Sequence, residues 1–122
     1  MVYRRQIKLA GESVSLGGIG AVRVAVAYRK QGVAGRMMDM AMTELRQLNC
    51  DLVFLSTNID SFLADFYKKY GFQVYTNTVI FRGKSGQLYQ IGNGMLAPIN
   101  SPQVFNKVFN SKESLDLGIG SW

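Results

Sequence analysis

The apolar positions of this chain change period several times, and each change marks an element. From Tyr3 to Ala10 they alternate weakly, with Tyr3, Ile7 and Leu9 apolar, which predicts a strand that ends in a hairpin turn at Gly11-Glu12. Val14, Leu16, Ile19 and the valines to Val26 predict the returning strand. Gly17, Gly18 and Gly20 interrupt it, as at a bulge, a bend, or a place where a ligand or another backbone comes close. Val22, Val24 and Val26 then alternate with Arg23, Ala25 and Ala27, again the period of a strand. From Val33 to Asn49 the spacing is helical: Ala34, Met38, Ala41, Leu45 and Leu48 form one stripe, with Arg36, Asp39, Thr43, Arg46 and Gln47 mostly opposite. Met37, Met38, Met40 and Met42 in this helix read as core filler rather than as a cofactor box. The apolar run from Asp51 to Thr57 predicts a buried strand, and the strand–helix–strand order implies a parallel pair.

Asp60 or Ser61 can cap a helix that reaches Tyr70, with Phe62, Phe66 and Tyr70 on one stripe, Tyr67 near its margin and Gly71 at the C-cap. Phe72 to Arg82 and Gln87 to Ala97 both read as strands, with the turn at 83–86 between them. Ser101-Pro102 opens a short helix whose apolar face is Val104, Phe105, Val108 and Phe109. That helix and Trp122 are expected to fold back over a substrate-acceptor side, because Phe105, Phe109 and Trp122 need burial. The fold class that results is α/β (α+β): a mixed, mostly antiparallel sheet flanked by helices.

Composition narrows the class. A chain of 122 residues could hardly build a second core, so residues 1–122 are expected to form one domain. With 48% hydrophobic and 18% charged residues it is a globular sequence rather than a disordered one. No apolar run approaches the roughly 18 residues of a membrane span, and Met1-Val-Tyr-Arg-Arg lacks the apolar core of a signal peptide. A cytoplasmic protein with no membrane partner is expected. Cys50, the only cysteine, can make no intrachain disulfide and reads as a buried structural thiol. The 14 basic and 8 acidic residues give +6, which favours an anionic ligand, but no run of Lys or Arg exceeds two, so nucleic acid is not an expected partner. With no histidine, the usual zinc set and every serine–histidine or cysteine–histidine arrangement are ruled out, and no metal is expected.

Candidate chemistry lies between the end of the returning strand at Val26 and the first predicted helix. A strand turning into a helix through Gly32, Ala34 and Gly35 presents free N–H groups and a positive dipole end, which together suit a pyrophosphate. Arg29, Lys30 and Arg36 add charge. The wider pattern Val24-x-Val26-x-x-Arg29-x-x-Gly32-x-Ala34 resembles the coenzyme A pyrophosphate loop of the GNAT superfamily of acyl-CoA-dependent N-acyltransferases, Val-x-Pro-x-x-Arg-x-x-Gly-x-Gly/Ala. Phe66-Tyr67-Lys68-Lys69-Tyr70-Gly71-Phe72 resembles that superfamily's second signature, Phe-Tyr-x-x-x-Gly-Phe, in the right order. Val26 replaces the proline and Lys30 the first glycine; neither change removes a backbone N–H. The resemblance covers residues 3–98, from the family's third strand onward, and 99–122 form a helix and tail. The family's earlier strands and helices have no counterpart. The ending, with Leu96-Ala-Pro-Ile, Asp116-Leu117 and Trp122, is weakly similar to aminoglycoside 2′-N-acetyltransferases and nodulation acyltransferases.

The resemblance implies an N-acetyltransferase with acetyl-CoA as co-substrate and an amine acceptor. It implies that the pantetheine arm lies along Val22 to Val26 with the N–H of Val24 facing the thioester oxygen. Arg29, Gln31, Gly32, Val33, Ala34, Gly35 and Arg36 would hold the pyrophosphate, Asn58 would reach the arm, and Tyr67 would serve as the general acid. Acyl transfer also needs the amine deprotonated. Gly20 stands where relatives often carry a glutamate, which leaves Glu12, a water chain, the terminal carboxylate of Trp122 or an amine of low pKa. A CoA-binding module without catalysis and a purely structural domain are the alternatives. A sheet that begins at the family's third strand would leave the Tyr3–Ala10 edge and one apolar face bare, which implies association, as a homodimer or with a separate chain that supplies the missing elements, or else that the chain is a fragment of a longer product.

Overall fold

A computed structural model describes residues 2–9, 11–20, 32–57, 62–92 and 94–120. Strands β1 (Val2–Leu9) and β2 (Glu12–Ile19) form the predicted antiparallel hairpin, in register from Val2↔Ile19 to Leu9↔Glu12. The first helix, α1 (Val33–Gln47), leads to β3 (Leu52–Ser56), which runs parallel to β2 with Leu16 opposite Leu52 and Gly18 opposite Phe54. The predicted parallel pair is therefore present. Helix α2 (Phe62–Lys68) ends in a turn closed by Gly71, whose φ of 91° suits glycine. The proposed caps Asp60 and Ser61 lie outside the described residues.

Each of the next two predicted strands is broken in the structure. The first becomes β4 (Gln73–Tyr75) and β5 (Val79–Arg82), and the second becomes β6 (Leu88–Ile91) and β7 (Gly94–Pro98). β4 and β7 stay in a five-stranded sheet of order β1-β2-β3-β7-β4, while β5 and β6 leave it as a hairpin. Helix α3 (Pro102–Asn110) starts at its proline as predicted, and β8 (Leu115–Ile119) pairs parallel with β5 to complete a second sheet, β6-β5-β8. Asn77 sits at the parting of the two sheets. Its Nδ2 donates to the carbonyls of Ser111 (2.9 Å) and Glu113 (2.6 Å), and its Oδ1 accepts from the N–H of Thr78 (2.9 Å).

The five-stranded sheet has a core on each face, sorted by strand alternation. One face holds Ile19, Val53, Leu55, Met95 and Ala97 against Ala34, Met38, Ala41 and Leu45 of α1 and Ala64 and Tyr67 of α2. Met40, read as core filler, is instead 70% exposed, because the helical turn carries it away from the Met38–Met42 side. Gly17 lets α1 approach: a Cβ there would lie 2.6 Å from Leu45 Cδ2 and 3.3 Å from Cys50 Sγ. Cys50 is fully buried, as expected of a structural thiol.

The other face holds Ile7, Leu9, Val14, Leu16, Leu52, Phe54 and Leu96. It is not bare. Phe105 and Val108 of α3, Val79 of β5 and Leu115 and Leu117 of β8 bury it, and Arg5 Nη1 on β1 donates to the carbonyls of Leu117 and Gly120, both at 2.6 Å. The tail thus supplies the cover that the sequence reading assigned to a second copy or a separate chain.

Candidate functional site

Tyr67 lies on α2 with its side chain completely buried, not at the margin of the apolar stripe as the spacing predicts. The inward line of α2 is Ala64 and Tyr67, and Phe66 and Tyr70 are only half-buried beside it. Edge-on contacts with Phe66 (5.5 Å between ring centroids) and Phe72 (5.9 Å) fix the Tyr67 ring. Its hydroxyl is the one buried side-chain polar atom without a hydrogen-bond partner among the described residues. Burial pushes this phenol up to about 12 from its ordinary 10.0, so it is a neutral donor across the physiological range.

The start of α1 is the second part. Gly32 caps the helix in the left-handed conformation (φ 77°, ψ −13°) and no side chain bonds to the cap. A Cβ on Gly32 would meet nothing within 4 Å, so backbone conformation rather than crowding calls for glycine here. The N–H of Arg36 donates to the Gly32 carbonyl at 3.3 Å. Helix geometry leaves the N–H groups of Val33, Ala34 and Gly35 without intrahelical acceptors. Ala34 is buried beneath them, Val33 and Gly35 are half-buried, and Arg36 is exposed. No acidic residue stands in this first turn. Tyr70 links the two parts: its hydroxyl donates to the carbonyl of Gly35 at 3.4 Å.

The third part is the end of the β2–β3 ladder. β2 and β3 pair only as far as Gly18↔Phe54, although Ile19 still belongs to β2 and Leu55 and Ser56 still belong to β3. Beyond that point Leu55 and Ser56 pair, among the described residues, with β7, opposite Met95 and Gly94. Among the described residues the β2–β3 ladder therefore ends at Gly18 and Phe54. Val22, Val24, Arg29, Gln31, Asn58 and Trp122 lie outside the described residues.

Glu12 is not brought to Tyr67. It alternates with Val14 and Leu16 on the α3 side of the sheet, and its Oε1 accepts from Lys107 Nζ at 2.6 Å, whereas Tyr67 packs on the α1 side. The hairpin turns toward α3, which removes the geometric basis for Glu12 as a base. Phe105 and Phe109 likewise lie with α3 on the face away from Tyr67, so the terminal helix does not cover the Tyr67 side. The sequence reading missed the contact between Tyr70 and Gly35. Its only sign there is that Tyr70 follows Tyr67 by three residues, close to one helical turn.

A family model described as Acetyltransferase (GNAT) domain matches residues 1–75, more than half of the chain. The chain belongs to the GNAT acetyltransferase family. No curated protein matches it. The fold agrees with that membership in its mixed, largely antiparallel sheet flanked by helices, and acetyl-CoA is the co-substrate that GNAT domains use. The matched stretch contains all three parts of the site: the end of the β2–β3 ladder at Gly18, the start of α1 and Tyr67. Among the described residues of this GNAT domain, no helix is long and apolar enough to cross a membrane.

Proposed function

We propose that this GNAT domain transfers an acyl group from acetyl-CoA to an amine. The observation that supports this reading best is the Tyr67 hydroxyl, buried and without a partner among the described residues, on the helix where the family's general acid is expected. A buried hydroxyl without a partner costs free energy, so it is retained where a bound group completes it. Bound acetyl-CoA supplies a thioester, whose sulfur is a weak acceptor at first and a strong one as it departs with thiolate charge.

In this reading the free N–H groups of Val33, Ala34 and Gly35, with Gln31, hold the pyrophosphate, the Arg36 N–H being taken up by the Gly32 carbonyl. Gly32 keeps the approach open, and Arg29 and Arg36 add charge. Val22, Val24 and Asn58 engage the pantetheine arm beside β3, the Val24 N–H polarising the acyl carbonyl. Tyr67 donates a hydrogen bond to the departing sulfur. A phenol raised to about 12 is a weaker acid than a thiol, so the assistance is polar stabilisation rather than a downhill proton transfer. Deprotonation of the amine falls to water, to the carboxylate of Trp122 or to an acceptor of low pKa, since Glu12 is paired with Lys107 on the other face.

Release of CoA thiol from acetyl-CoA, followed against a panel of aminoglycosides, polyamines, peptide amino termini and lysine, tests the proposal. Aminoglycosides are included for the weak likeness of the 96–122 segment. Wild-type protein is expected to turn over at least one amine, and Tyr67→Phe is expected to lose about 10²-fold or more. Turnover by Tyr67→Phe within about twofold of wild type would remove the acid role.

A further inference from the structure

We infer that Tyr70 is a positioning residue, which sets the first turn of α1 against the end of α2 and so fixes how the CoA pyrophosphate sits relative to Tyr67; this rests on the acyltransferase reading above. The N–H of Tyr70 donates to the carbonyl of Tyr67 at 2.9 Å, and the Tyr70 hydroxyl donates to the carbonyl of Gly35 at 3.4 Å. One residue therefore touches both ends of the proposed site. Its ring is held edge-on by Phe66 with centroids 5.4 Å apart, and its phenol is pushed up by burial and by the charge of Asp39, which keeps it a neutral donor.

The Gly35 carbonyl shares a peptide unit with the Arg36 N–H, at the turn assigned to the pyrophosphate. That N–H donates to the Gly32 carbonyl within the helix, so a donor on the Gly35 carbonyl strengthens this bond and restrains the tilt of the turn that carries the free N–H groups of Val33, Ala34 and Gly35. Packing against Tyr70 does not itself demand glycine at 35, since a Cβ there would lie 3.5 Å from the Tyr70 hydroxyl, an ordinary contact. The link is therefore polar rather than steric, and deleting one oxygen isolates it.

Calorimetric titration of CoA into wild type and Tyr70→Phe, with 31P spectra of the bound ligand and thermal midpoints, tests the inference. Loss of one modest hydrogen bond is expected to weaken CoA binding about three- to tenfold. The pyrophosphate resonances should move, the ribose 3′-phosphate resonance should stay, and the thermal midpoint should fall by no more than the few degrees that one hydrogen bond is worth. Equal affinity with unmoved pyrophosphate resonances would overturn the positioning role, and so would a fall in affinity in which pyrophosphate and 3′-phosphate resonances move alike. A wild type that binds no CoA would instead overturn the acyltransferase reading, and the role of Tyr70 with it.

Discussion

The Tyr67 hydroxyl makes function and stability pull in opposite directions. With no partner among the described residues, it carries a desolvation cost of about 1–3 kcal/mol that a phenylalanine would not. Tyr67→Phe is therefore expected to melt higher than wild type, by a few degrees, while its turnover collapses. A lower midpoint would show that the hydroxyl is satisfied in the free protein. Alkaline titration gives a second check on the same variant. The folded-state pKa of about 12 lies above the ordinary 10.0, so the associated stability is present below pH 10 and is lost as pH rises toward 12; Tyr67→Phe should lose less there. The signature around Tyr67 was legible from residues 66–72. Its depth was not, because the spacing of Phe62, Phe66 and Tyr70 is as helical as that of Ala64 and Tyr67, and only the packed sheet decides which line faces inward.

Among the elements, α1 is seated on β2 by an absence. The sequence offered a bulge, a bend, or the approach of a ligand or another backbone for the glycines after Leu16, and at Gly17 it is instead a side chain, Leu45 of α1, that comes close. Gly17→Ala would place a methyl 2.6 Å from a fully buried side chain and is expected to cost about 1–3 kcal/mol in chemical denaturation. Adding Leu45→Val should recover part of that loss, and a neutral Gly17→Ala would show that α1 has slack. The hairpin, α1, the parallel β2–β3 pair and the start of α3 at Pro102 were legible because period and punctuation agreed. The break between β4 and β5 was not. Thr76-Asn77-Thr78 contains neither glycine nor proline, and its threonines suit a strand; the parting depends on Asn77 reaching carbonyls at 111 and 113, far along the chain. β8 escaped notice for a similar reason, since a five-residue segment gains strand character only from pairing with β5.

At the scale of the whole molecule, the sequence reading supposed an apolar face open to a second copy or a separate chain. α3, β5 and β8 close that face. The homodimer proposal is left with the outer edge of β1, where Arg4 and Lys8 oppose close pairing in a chain of net charge +6. Light scattering at tens of micromolar is expected to show a monomer; a dimer would place the contact at that edge. Among the described residues, the β2–β3 ladder ends at Gly18 and Phe54, and the glycine-capped start of α1 carries no side-chain cap. Calorimetric titration of acetyl-CoA into the full chain tests their assignment most directly. The account predicts saturable binding of one acetyl-CoA per chain. No saturable heat at millimolar ligand would contradict it.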